Sequence, residues 1–204
     1  MTSTLRRDQA QLTRRRIMDA TYALLIETGY AKATITAVAE RAGVAVPTVY
    51  KAFGSKAELI KRVYDRVLAG DDTDAAIGDR PQAQQILAEQ DAGQSLVRYA
   101  ALATDISTRI GPLLTVLLAA RSTDGQLQEF VATIEQERRR GNERFAAHLA
   151  ASDWLAVDLD RATDLLWLFT APETYQRLVA ERGWDLETFR SWLAETLTDQ
   201  LLRS

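Results

Sequence analysis

The stretch VAERAGVAVPTVYKAF, residues Val38 to Phe53, sets an apolar helical rhythm, interrupts it at Gly43 and resumes it through Pro47. Spacing predicts a helix over about 35–42 that buries Val38, Ala39 and Ala42. Gly43 lets the chain turn, and Val44 plugs the elbow. A second short helix follows at once. In it Val49 and Phe53 are four apart and face inward, so Val46, Pro47, Thr48, Tyr50 and Lys51 must point largely outward. The result is a short exposed helix held at a fixed angle to its predecessor.

Such a helix meets the physical requirement for entering a DNA major groove, which admits one helix and rewards fixed side-chain geometry. The exposed chemistry agrees. Tyr50 offers a hydroxyl to a phosphate, and Lys51 reaches a phosphate or a guanine edge. Val46, Pro47 and Thr48 present methyl and hydroxyl contacts to base edges. Lys56 adds a charge at the start of the next helix, where backbone N–H groups already favour a phosphate. Thr34 and Thr36, at the start of the preceding helix, are placed to hold a phosphate in the same way.

Outward from this elbow the chain reads as all-α. ATITAV, residues 33–38, is the one β-branched alternation, and it runs straight into a helical pattern. Thr13 is a candidate N-cap for a first helix along Ile17, Ala20, Leu24 and Thr28, closed by Gly29. Ser55 and Glu58 form a capping box for a fourth helix with Ile60, Val63, Tyr64, Val67 and Leu68 on its apolar face. Beyond the punctuation GDDTDAAIGDRP, helices are expected at about 82–90, 92–109, 112–121, 124–150, 158–170, 173–182 and 186–202. Pro112 and Pro172 are each read as opening a helix.

Charge divides the same way. Twelve of the 25 Lys and Arg but only six of the 28 Asp and Glu fall in residues 1–70, a net of +6 there, leaving −9 beyond and −3 for the chain. All four lysines lie in the first 61 residues. A basic N-terminal part fits a polyanion partner at one end only. One histidine, no cysteine, scattered carboxylates and no glycine-rich phosphate loop leave no constellation for an enzyme, a metal or a cofactor. The apolar runs, such as LLTVLLAA, are shorter than a bilayer span, so no membrane partner is expected and the chain reads as cytoplasmic.

TITAVAERAGVAVPTVYKAFGSKAELI, with TRRRIMDATYALLIETGY before it, resembles the N-terminal pattern of the TetR family of bacterial transcriptional regulators. The shared features are a threonine, an apolar-Ala pair, AGV, a Tyr, a Phe and an SK pair before an apolar helix. Val46 and Pro47 depart from the polar residue and glycine often found there. The resemblance implies a three-helix DNA-binding head over residues 1–55, with 46–52 as recognition helix. A long helix then leads into a helical regulatory, ligand-binding and dimerisation body over 56–204, about nine to eleven helices in all.

LLWLFTAPETYQRLVAERGWDLETFRSWLAETL, residues 165–197, resembles the terminal helices of one branch of that family and implies a homodimer, hence a palindromic operator. Leu165, Phe169, Trp192, Leu193 and Leu197 are its candidate interface residues. The resemblance also implies a cavity for a small organic ligand in the body. Aromatic candidates for its lining are Tyr99, Phe130, Phe145, Trp154 and Trp167, and aliphatic ones are Leu102, Ile106, Leu117 and Ile134.

His148 follows a row of arginines read as a solvated face paired with Glu135, Glu137 and Glu143. Together these readings describe a ligand-responsive repressor released from its operator by the ligand. The alternative is a helical interaction module whose elbow is purely structural. A second open pair concerns Arg6, Arg7 and Arg14 to Arg16, which form either a minor-groove arm or the charged start of the first helix.

Overall fold

The computed structural model describes residues 2–70 and 76–203, with side chains from Arg7 onward. Its helices are α1 (Thr2–Thr28), α2 (Ile35–Ala42), α3 (Val46–Phe53), α4 (Lys56–Ala69), α5 (Pro81–Leu87), α6 (Ala92–Ala120), α7 (Gly125–Ala151), α8 (Leu159–Phe169), α9 (Pro172–Tyr175) and α10 (Leu186–Leu201). Short 3-10 turns cover Ile77–Asp79 and Arg121–Thr123, and a π-helical turn, Gln176–Glu181, continues α9. Among the described residues there is no strand, only a lone antiparallel bridge pairing Leu155 with Leu202.

The chain divides into two compact units, one of residues 1–71 with 112–131, the other of 72–111 with 132–204. In the first, α1 packs against α2 and α4. It starts well before Thr13, because the preceding residues include good helix formers and no breaker. Thr13 is therefore not an N-cap. Its hydroxyl donates to the Gln9 carbonyl at 2.9 Å. The buried stripe of α1 is Ile17, Ala20, Thr21 and Leu25, while Leu24 is half-buried and Thr28 is exposed, its hydroxyl donating to the Leu24 carbonyl. In α4, Ser55 caps the Glu58 N–H at 3.1 Å, and Leu59, Ile60, Val63 and Tyr64 are buried. Leu59 replaces the expected Val67 and Leu68, which are half-buried. Phe130 meets the Tyr64 ring edge-on at 5.6 Å.

In the second unit, Leu96, Phe145, Leu149, Leu166, Phe189, Leu193, Leu197 and Leu201 form a shared core. Tyr99 stacks on Phe145 at 3.9 Å and donates its hydroxyl to Asn142 at 2.7 Å. Asn142 in turn donates to the Arg138 carbonyl at 2.9 Å, so this buried amide is used in both roles. The chain end is tied down as well: Ala156 N–H donates to Leu201 at 2.8 Å, and Arg203 donates from its backbone to Trp154 and from its side chain to Leu155.

Pro112 does not open a helix. It lies inside α6, which runs unbroken from Ala92 to Ala120. A proline here costs the bond its missing N–H would give to the Thr108 carbonyl. The clash between its ring and the preceding residue is eased because that residue, Gly111, has no Cβ. Being continuous, α6 is long and apolar enough to cross a membrane by length and composition alone, unlike the separate runs visible in the sequence. It also carries Asp105, ion-paired with Arg190 of α10, and buried Ser95, Thr104 and Ser107.

Candidate nucleic-acid interface

Thr34 caps α2 by accepting the Ala37 N–H at 3.1 Å. At the other end Gly43 takes φ +64°, and its N–H and that of Val44 return to the carbonyls of Glu40 and Ala39. This left-handed C-terminal turn is what a side-chain-bearing residue adopts only with strain. Helix α3 begins three residues after Gly43, with Ala45 as a cap that offers no side-chain bond and Pro47 in its first turn. Val49 and Phe53 are buried, as their spacing requires. Pro47, Tyr50 and Lys51 are exposed, Tyr50 to 52%, and Val46 and Thr48 are half-buried. Thr36 is exposed on α2.

Lys56 is placed differently from the sequence expectation. Its Nζ donates to the Tyr30 carbonyl at 2.8 Å and lies 3.8 Å from the centre of the Tyr30 ring. Burial pushes its pKa down against the opposing pull of Asp124. The ammonium is thus engaged within the unit. Asp124 is the hub of this cluster. It accepts the Tyr30 hydroxyl at 2.6 Å and the N–H groups of Gln126 and Leu127 at the start of α7. The Tyr30 bond, foremost, holds its carboxyl below the usual range. Burial first, and Asp124 second, push the Tyr30 phenol well above its ordinary value.

The arginines of α1 are also tied in. Arg14 donates to the Ala52 carbonyl at 2.6 Å, with its guanidinium 4.6 Å from the Phe53 ring centre, and Arg16 donates to the Ala42 carbonyl at 2.5 Å. Arg41 of α2 grips Glu27 of α1 through both terminal guanidinium nitrogens, at 2.5 and 2.7 Å. Arg14 to Arg16 therefore lie within a continuous helix, all three exposed like Arg7. The side chain of Arg6 falls outside the described residues.

Residues 17–63 match the family described as bacterial regulatory proteins, tetR family. These residues form a tetR-family domain. The match takes in α2, α3 and the elbow, with the C-terminal part of α1 and the N-terminal part of α4. The repressor KstR of Mycolicibacterium smegmatis is 43% identical over 72 residues, covering 33% of this chain and 35% of that protein. The chain thus aligns with about a third of the length of this curated relative. Across nearly the whole chain the likeness is of fold. NalD of Pseudomonas aeruginosa, described as the secondary repressor of the MexAB-OprM multidrug efflux pump, superposes with a TM-score of 0.70 at 20% identity, over 96% of this chain and 98% of its own. A transcriptional regulator from Saccharomonospora viridis, solved with choline, gives 0.69 at 16% identity, over 95% and 100%.

Outside the tetR-family domain, the residues read from sequence as a cavity lining are divided between the two units. Leu117 and Phe130 lie in the first unit, Leu117 fully buried. Tyr99, Leu102, Ile106, Ile134, Phe145 and Trp154 lie in the second. Trp167 is 36% exposed, its indole N–H donating to Glu135 at 3.2 Å and Arg138 lying over its ring. Of the expected interface residues, Leu193 and Leu197 have no exposed surface and belong to the core of their own unit. Their neighbours Leu165, Phe169 and Trp192 are half-buried, and the exposed apolar side chains of α8 are Leu159, Trp167 and Leu168. The arginine row of α7 pairs only in part as expected: Arg138 meets Glu135, but Arg139 reaches Asp164 of α8 at 2.9 Å. His148 Nε2 is buried with no hydrogen-bond partner, and its ring meets Trp154 edge-on at 5.8 Å.

Proposed function

We propose that the protein is a DNA-binding transcriptional regulator that reads a palindromic operator as a homodimer and, as a repressor, leaves it when a small organic ligand binds the second unit. The observation that carries the DNA reading is α3 itself, anchored by Val49 and Phe53 and presenting Pro47, Tyr50 and Lys51 outward within a tetR-family domain. The net charge of +6 over residues 1–70 supports a polyanion partner on the same segment. The exposed apolar residues of α8 support self-association through that helix, alongside the half-buried Trp192 of α10. The fold neighbour bound to choline supports an organic effector. Through linkage, an effector that weakens operator binding by some factor binds the operator-bound form more weakly by the same factor, typically about 1–3 kcal/mol. The reading places the protein outside enzymes and among cytoplasmic regulators.

Selection of bound fragments from a random DNA pool tests this reading. A dimeric reader enriches a palindrome, with half-sites roughly 34–36 Å apart or a related distance, and its affinity falls with salt at a log–log slope of about −0.9 per phosphate contacted. No enrichment and a flat salt response would favour the helical interaction module, with the elbow as architecture alone.

A further inference from the structure

Arg14 and Arg16 stand two residues apart on α1, so they leave it on opposite sides. Each ends on the C-terminus of a different helix of the elbow. The last carbonyls of a helix have no partner within it and carry its negative pole. Ala42 is the final residue of α2, and Ala52 the penultimate residue of α3. Among the described residues, neither carbonyl receives a backbone N–H across the turns that follow, where Gly43, Val44, Gly54 and Ser55 bond to Glu40, Ala39, Tyr50 and Phe53 instead. Arg16 supplies the N–H at Ala42 and Arg14 the N–H at Ala52.

Both arginines are exposed, and two further contacts accompany these bonds. A Cβ built on Gly43 would come within 2.9 Å of the Arg16 Nη2, so a side chain there would make the guanidinium shift. The Arg14 guanidinium lies over Phe53, the buried residue that seats α3. Neither arginine has a carboxylate partner among the ion pairs of the described residues, and both are directed at backbone.

We infer that Arg14 and Arg16 are positioning residues for DNA reading, cationic clips that fix the C-terminal ends of α2 and α3 to α1 and so set the angle at which α3 meets the groove. This rests on the DNA-binding reading above. Their role is geometric, and it separates cleanly from that of an arginine bound to phosphate. A phosphate contact adds affinity to every duplex alike. A clip favours only the duplex whose base edges require the right angle.

The test uses the full-length protein, its selected operator and an unrelated duplex of equal length. Affinities for Arg14→Ala, Arg16→Ala and Gly43→Ala are measured at several salt concentrations, below each variant's melting temperature. Gly43→Ala pushes on the Arg16 guanidinium and strains the left-handed turn that it clips, while leaving every charge in place. All three variants are expected to lower the ratio of operator to unrelated affinity about tenfold, with the affinity for the unrelated duplex and the salt slope held at the wild-type values. Loss of both affinities together, with the slope of the arginine variants reduced by about 0.9, would make them phosphate contacts and overturn the inference. A lowered melting temperature with an unchanged ratio would make them purely structural and overturn it as well. A wild-type protein that prefers no duplex would refute the underlying DNA-binding reading, an outcome distinct from a discriminating wild type whose variants discriminate equally.

Discussion

Tyr30→Phe and Asp124→Ala, made singly and together, measure how firmly residues 112–131 are held to the N-terminal helices of the same unit. The bond between them joins positions 94 apart in sequence at 2.6 Å, with a carboxylate as acceptor. Hydrogen bonds to charged groups contribute about 1.5–3 kcal/mol. Because Asp124 is only half-buried and water can replace the lost hydroxyl, Tyr30→Phe should cost about 1.5 kcal/mol. Asp124→Ala loses the same bond and the cap on α7, worth a further ~1 kcal/mol, for about 2.5 in all. The double variant should also cost about 2.5, since the shared bond is lost only once, which leaves a coupling energy of about 1.5 kcal/mol. Lys56 biases the cycle in one direction. Removing Asp124 takes away the nearby charge that favours its half-buried ammonium, so the Asp124→Ala cost errs high. Urea unfolding followed by circular dichroism gives all four values. Additivity within about 0.3–0.5 kcal/mol would refute the bond as a stabilising link.

Alkaline pH probes the same phenol: with its folded pKa raised above the unfolded value of about 10, its contribution is complete below that pH and is lost as pH rises through it. Wild-type protein should therefore lose more stability than Tyr30→Phe between about pH 10 and 11, and parallel losses in urea titrations would count against the assignment. Lys51→Ala and Tyr50→Phe should melt within about 0.5 kcal/mol of wild type, both side chains being exposed, yet bind the operator more weakly. Lys51→Ala should also flatten the salt slope by about 0.9, and unchanged operator binding in both would mean that α3 reads DNA through another face. Phe189→Ala, at a residue 2% exposed between Tyr175 and Trp192, should destabilise by about 3–5 kcal/mol by calorimetry, with a loss under 1 refuting its place at the centre of the core.

The elbow was legible because its signals are local. Gly43, the cap Ser55 and the four-residue spacing of Val49 and Phe53 lie within about a dozen residues and act through backbone geometry and helix period. What sequence left dark were partners chosen by tertiary packing. Lys56 looks like any solvent lysine until Tyr30 and Asp124 are brought to it, and nothing near Asp124 announces a tyrosine 94 positions upstream. Pro112 misled for a related reason. Proline usually marks a boundary, and only packing around α6 decides whether a helix absorbs the lost bond. Leu193 and Leu197 were recognisable as apolar, but period alone does not say whether an apolar stripe meets its own core or another copy.

The first compact unit is written in two separate passages of the gene, residues 1–71 and 112–131. Anyone grafting this unit onto a different protein would be tempted to cut once, at residue 55 or 71, and carry the N-terminal passage alone. That graft would strand the Tyr30 hydroxyl without its acceptor, deprive Lys56 of the nearby carboxylate and strip Phe130 from the Tyr64 ring. A transplant that keeps the unit intact must move both passages, with junctions at Gly111–Pro112 and at Val131–Ala132 as well as after α4.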